Sequence, residues 1–195
     1  LYFLNQPDWA YTESVQATLA RWGKEESLRR LVRLVRILRP EVICTMDPAP
    51  VGGQHGHHQA AGRLATEAFT AAADPRVFPD QIEDEGLAVW KVRKLYWVSF
   101  GGGGNTVIRT DEQATGVLAG KVKGNRYADI ATRAEMNHRS QGFDKFMESM
   151  ADSGQTMFAR PNNFLLVKSR VPAVSDETDL LAGLEGVSVA ENDLL

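Results

Sequence analysis

One cysteine, Cys44, is all the thiol chemistry that 195 residues hold. That excludes an intrachain disulfide and leaves the compartment open. An excess of one charge is missing as well: 22 Lys and Arg stand against 25 Asp and Glu, a net charge of −3. Nothing therefore draws the chain as a whole to phosphate backbones or anionic membranes, and nucleic acid is not an expected partner. Apolar runs such as Val42-Ile43-Cys44 fall far short of the roughly 20 residues that span a bilayer. Internal repeats and low-complexity linkers are absent too, which excludes solenoids and disordered arrays. What remains, 43% hydrophobic and 24% charged residues, is the composition of a folded globular domain. A chain of this size buries enough apolar surface to need no structural metal, so a metal here would serve chemistry.

The chain opens on Leu1-Tyr2-Phe3-Leu4, a β-prone run that starts in mid-structure, and closes on Leu194-Leu195 with no terminating element; both ends read as cuts in a longer polypeptide. From Glu25 to Leu38, the residues Leu28, Leu31, Val32, Val35 and Leu38 recur at steps of three and four. Arg29, Arg30, Arg33 and Arg36 fall mostly between them, which predicts an amphipathic helix with a solvated arginine face. Pro40 ends it, and Val42 to Met46 reads as a strand buried on both faces. Helix followed by strand is the α/β rhythm. The loop from Asp47 to Gln54 leads into an alanine-rich helix from about His57 to Ala73, closed by Asp74-Pro75. A surface loop to Gly86, a strand from Val92 to Phe100, a turn at Gly101 to Gly104, a helix from Tyr127 to Gln141 and a last strand at Phe164 to Val167 complete the expected order. The glycine run is no phosphate loop, because Thr106-Val107-Ile108 follows where a helix should begin.

Three of the four histidines, His55, His57 and His58, gather where that loop meets the alanine-rich helix. The place lies just past the carboxyl end of a buried strand, where open α/β sheets bind ligands. His55 and His58 share a side if the turn between them is helical. A helix amino terminus disfavours imidazolium and favours an anion, so the rings stay neutral and able to ligate a metal. By themselves these residues leave two readings, a metal-assisted hydrolytic site or solvated polar side chains at a helix start. Catalytic zinc takes three protein ligands, and no HExxH, CxxC or second histidine cluster is present. Trp9, Trp22, Trp90 and Trp97 are expected to pack in the core rather than on a sugar, and His138 to be a structural histidine within its helix.

Arg39-Pro40-Glu41-Val42-Ile43 leads to His55-Gly56-His57-His58-Gln59-Ala60-Ala61-Gly62, and Glu85-Gly86-Leu87 with Trp90, Arg93-Lys94-Leu95-Tyr96 and His138-Arg139-Ser140-Gln141 follow. In that order, over about residues 1 to 170, they resemble the PIG-L or LmbE-like family of zinc-dependent N-acetylglucosaminyl deacetylases. Where that family has His-Pro-Asp-His and then a glycine, Gly56 stands for the proline and His57 for the aspartate. The resemblance implies a Rossmann-like doubly wound, mainly parallel sheet with helices on both faces, in which Tyr2-Phe3-Leu4 is the third strand. Strands one and two, with the Ala-His-Pro-Asp-Asp-Glu motif that supplies two further ligands and the general base, are missing. The sheet is therefore expected to be incomplete on its amino-terminal side.

The resemblance further implies that His58 ligates Zn2+, or another divalent ion. His55 would stabilise the oxyanion or protonate the leaving amine. His57 would orient or tune a catalytic histidine, less strongly than the aspartate would. The implied activity is hydrolytic removal of acetyl from an N-acetylglucosamine-type amino sugar or conjugate, a small-molecule substrate, with the oligomeric state open. Residues 1–172 are the expected part of that domain, and 173–195 a tail or the start of a following region. A soluble protein is expected, with the cytoplasm favoured. The rivals are a sugar-binding relative without catalysis or an inactive fragment, and a nucleotide-binding Rossmann-type enzyme, which would need a glycine-rich turn after the first strand.

Overall fold

A computed structural model describes residues 1–9, 11–12, 14–49, 53–99, 104, 106–109, 112–115, 118–121, 126–152, 158–159, 161–175, 177 and 179–186. The chain forms two compact units, Leu1–Thr106 with Asn163–Leu184, and Val107–Asn162 with Glu185–Leu195.

In the first unit, α1 (Val15–Trp22) starts where the Ser14 hydroxyl accepts from the Ala17 amide, and ends at Gly23 with a φ of 71°. The sequence reading missed this helix, although Ser14 is a good cap and Val15, Thr18, Leu19 and Trp22 mark one face. Helix α2 (Lys24–Leu38) follows, with Glu25 and Glu26 in its first turn. It ends at Arg39 in the left-handed region, whose amide bonds the Val35 carbonyl, and Pro40 forbids continuation. Then come β1 (Val42–Met46), α3 (Gly56–Ala71), the single turn α4 (Asp80–Glu83) and β2 (Lys94–Ser99). Phe100 and Gly101 to Gly103 lie outside the described residues.

Among the described residues the sheet is mixed and four-stranded, its members completed by β3 (Thr106–Arg109) and β4 (Pro161–Ser169). Strand β1 runs parallel to β2, from Val42 opposite Lys94 to Met46 opposite Val98, because α3 and the segment after it carry the chain back to the same end. Strand β4 runs antiparallel to β2, with a register shift between Leu95 and Tyr96. The architecture is α/β; β2 has one parallel and one antiparallel neighbour, rather than the mainly parallel pairing expected. Val32, Val35, Ala68, Phe69, Ala72, Val92 and Leu95 form one core cluster, and Val15, Leu19, Ala60 and Leu64 a second that binds α1 to α3.

Two expectations need correction here. Tyr2-Phe3-Leu4 is not a strand: the segment is irregular, Tyr2 and Phe3 are exposed, and the Leu4 carbonyl accepts from Arg30. A β-prone run with no strand beside it has no ladder to join. The arginine face of α2 is not simply solvated either. Arg36 is buried and donates to the carbonyls of Asp74, Val77 and Phe78 and to Gln81 Oε1 at 2.8–3.1 Å. Arg29 pairs with Asp80 and Arg33 with Glu85. The segment after α3 has left its helix and needs donors for its carbonyls, and α2 supplies them.

At the start of β2, the buried Lys94 ammonium donates to both Glu177 carboxylate oxygens at 3.0 and 2.7 Å, to the Ala182 carbonyl and to the Tyr96 hydroxyl. The Tyr96 hydroxyl in turn donates to Glu177, and burial holds that phenol above its usual range.

The second unit holds α5 (Tyr127–Glu135), a 3-10 turn at Arg139–Gln141 and α6 (Phe143–Asp152), with Ala128 and Met147 buried. The single helix expected from Tyr127 to Gln141 stops at Glu135, because Asn137 Nδ2 donates to the Arg133 and Ala134 carbonyls and takes over the last turn. His138 thus stands on a turn, not within a helix, with Nδ1 donating to the Glu135 carbonyl at 3.1 Å. Helix α6 was not anticipated. No described helix is long and apolar enough to cross a membrane.

Candidate functional site

Where β1 ends, Asp47 turns the chain: its carboxylate accepts from the Ala49 amide at 2.8 Å, and its carbonyl accepts from the Gln54 side chain at 3.1 Å. The Gln54 carbonyl accepts from Gln59 Nε2 at 2.9 Å, which ties the loop's exit to the first turn of α3. Two glycines decide how closely α3 can approach. A Cβ on Gly62 would run into the Met46 carbonyl oxygen, so only glycine lets the helix rest on the end of β1. The Gly56 amide donates to the Thr12 carbonyl at 2.6 Å. A Cβ on Gly56 would lie 2.6 Å from the Ser14 oxygen and 2.9 Å from Thr18 Oγ1. Proline, the residue expected here from the resemblance, has no amide hydrogen to give Thr12.

On this scaffold the three histidines come together as the sequence suggested. His55 is the cap of α3, with an extended backbone, and its Nδ1 accepts the His57 amide at 3.1 Å. A neutral ring that accepts at Nδ1 carries its proton at Nε2. Its ring centre lies 4.0 Å from that of His57 and 5.9 Å from that of His58.

His57 is enclosed. Trp9 meets it edge-on at 4.1 Å, Trp22 lies at 5.2 Å, and Asp8 Oδ1 stands 3.3 Å from Nδ1, while Nε2 is buried without a hydrogen-bond partner. Burial, then the neighbouring His55, pushes its pKa below the ordinary imidazole value, with Asp8 opposing. The His58 residue is exposed, yet its ring is partly desolvated by the turn, and that, then His55, lowers its pKa too. Both rings are thereby held neutral, the state a metal ligand needs.

Neutral imidazole suits zinc in kind. In number the set is short: among the described residues no three His, Cys, Asp or Glu side chains stand where one ion could be held. What fixes His55 is the backbone amide of residue 57, whereas the His57 side chain points its Nδ1 at Asp8. His138 belongs to the second unit.

Sequence reading missed the residues that surround these rings. Asp8, Trp9, Tyr11 and Trp22 contact them, and Arg21 lies 4.7 Å over the Trp9 ring. Trp22 could have been found from its place on the apolar face of α1; Asp8, Trp9 and Tyr11 carry no spacing that links them to His55. Trp90 packs against the core as expected and donates to the Pro40 carbonyl, while Trp97 is half-buried and donates to Thr66 Oγ1.

No family model matches the chain. Known enzymes do. The chain is 40% identical over 77 residues to the 1D-myo-inositol 2-acetamido-2-deoxy-alpha-D-glucopyranoside deacetylase 1 of Catenulispora acidiphila, covering 38% of this chain and 21% of that protein. It is 41% identical over 75 residues to the deacetylase of the same description from Streptomyces scabiei, 37% of this chain and 21% of that one. A longer alignment of 202 positions, at 28% identity, takes in 84% of this chain and 60% of such a deacetylase from Frankia casuarinae. The chain thus spans between about a fifth and three fifths of the relatives it matches.

Proposed function

We propose that this chain is part of a hydrolase that removes the acetyl group from a 2-acetamido-2-deoxyglucose conjugate, with its site at the start of α3 and a divalent ion, Zn2+ by preference, as cofactor. The likeness to three deacetylases supports the reaction class. In this reading β1 and β2 belong to a Rossmann-like, doubly wound sheet, with the ligand at the carboxyl ends of its strands.

The observation that carries the site assignment is the bond from the His57 amide to His55 Nδ1. It leaves His55 a donor at Nε2, able to meet the oxygen that gains charge when an amide is attacked. The dipole of α3 adds positive potential at the same place. Of the two roles considered for His55, oxyanion stabilisation suits this tautomer better than proton delivery to the leaving amine. His58 would hold the ion, and further ligands come from residues other than those described. A bound divalent ion supplies Lewis acidity toward the amide carbonyl. His57, enclosed by Trp9 and Trp22, keeps the first turn in place. We assign the general base to none of these residues, since Asp8 is engaged with His57.

In the full-length protein, His58→Ala is expected to abolish stoichiometric zinc, whereas His55→Ala keeps zinc and lowers deacetylation by roughly 100- to 1,000-fold. Normal metal content in His58→Ala would refute the assignment. A second reading, sugar binding without catalysis, draws on the aromatic side chains around His57. It predicts sugar binding with neither zinc nor turnover in the native protein.

A further inference from the structure

Resting on that reading, we propose that Thr66, held by Trp97, is the positioning residue that aims the histidine turn over the end of β1. His58, Gly62 and Thr66 follow one another at steps of four along α3 and share one face of it. That face is seated at two points. Gly62 rests against the Met46 carbonyl at the end of β1, with no room for a Cβ between them. One turn further along, the Thr66 hydroxyl accepts from the Trp97 indole at 3.0 Å and donates to the Gly62 carbonyl at 2.8 Å. Trp97 lies on β2 opposite Thr45 of β1. Ala68 and Ala72 pack lower, in the core with Leu95. The helix therefore climbs toward its start as β1 climbs toward its end, and the turn before Gly62 carries His58 past Met46.

A threonine hydroxyl that bonds the carbonyl four residues back competes with the amide for that carbonyl, and such bonds bend helices. In α3 this bond joins Thr66 to Gly62, directly below the histidines, so the setting of one hydroxyl governs the tilt of the turn above it. Trp97 removes the freedom of that hydroxyl by holding Oγ1 in the rotamer that reaches Gly62. A metal ligand or an oxyanion donor works only within about 0.5 Å and 10–20° of its productive place, a tolerance that a small change of helix tilt uses up. Thr70, one turn further from the histidines, has no such part: it is exposed, and its hydroxyl accepts from Lys168 at 3.2 Å.

The test uses the full-length protein. Thr66→Val keeps the shape of the side chain and removes the hydroxyl, whereas Thr66→Ser keeps the hydroxyl. Without metal, the backbone amide resonances of His57 and His58 should move in Thr66→Val and in Trp97→Phe, and return in Thr66→Ser. Zinc affinity, measured by competition with a chromogenic chelator, should fall about tenfold in Thr66→Val, and the visible spectrum of the Co2+-loaded protein should shift with it. Thr70→Val, which also loses a side-chain bond of α3, should alter neither. Unmoved amides in Thr66→Val, native zinc affinity in that variant of a protein that binds zinc, the same changes in Thr70→Val, or failure of serine to restore the native pattern would each overturn the proposal. Amides that move as expected in a protein that takes up no zinc would uphold the positioning and refute the metal reading.

Discussion

The first unit buries ionisable side chains in two manners. Around Arg36 and around Lys94 the buried cations meet partners: guanidinium on carbonyls and Gln81, ammonium on Glu177, Ala182 and Tyr96. At the start of α3, by contrast, His57 Nε2 and Gln54 Oε1 are buried with no partner, and two imidazoles are held short of their ordinary basicity. Closed networks hold a fold together. A cluster left open costs stability, so the two regions differ in what they contribute to the fold.

The comparison breaks first at Arg36. Arg36→Ala strands several partly buried carbonyls and the Gln81 side chain at once and is expected to cost about 3 kcal/mol in urea unfolding; a loss below about 1 kcal/mol would mean the network is ornamental. Lys94→Met leaves the Glu177 carboxylate buried without its cation and should cost about 3 kcal/mol, with much of that recovered in Lys94→Met/Glu177→Leu. Gly62→Ala should cost about 2 kcal/mol by pushing α3 off the end of β1.

The open cluster should respond least. His57→Phe, which fills the same aromatic enclosure, should change stability by no more than about 1 kcal/mol at pH 7.5. Acid then sharpens the contrast. A histidine whose folded pKa is depressed adds stability that is fully present above the unfolded value of about 6.5 and is lost as pH falls through the lower folded value. Thermal midpoints of the native protein should therefore drop below about pH 6.5, and less steeply in His57→Phe. Parallel curves for the two proteins would remove the histidine from the account.

What the sequence made legible follows how local the signal is. Helix α2, β1 and α3 were readable because each carries its own period and its own stop, Pro40 for α2 and Asp74-Pro75 after α3. The solvated reading of Arg36 failed because its partners are carbonyls of a segment whose path no pattern announces. Tyr2-Phe3-Leu4 failed because a strand exists only beside another strand. At the site, the gathering of the histidines could be read from the sequence, whereas the need for glycine at 62 shows only where α3 meets the end of β1. Asp8, Trp9 and Tyr11 could not be read so either, since only the tertiary fold brings them to the histidines.

Gly56 has one more consequence, for anyone who would re-engineer this protein. The starts of α1 and α3 are fastened backbone to backbone through that residue, with no room for a methyl group between them. Installing proline at 56 would remove the amide hydrogen that Thr12 accepts and undo the fastening. A graft of the histidine turn into another scaffold must carry Thr12, Ser14 and Thr18 with it, because those residues and the turn work as a single joint.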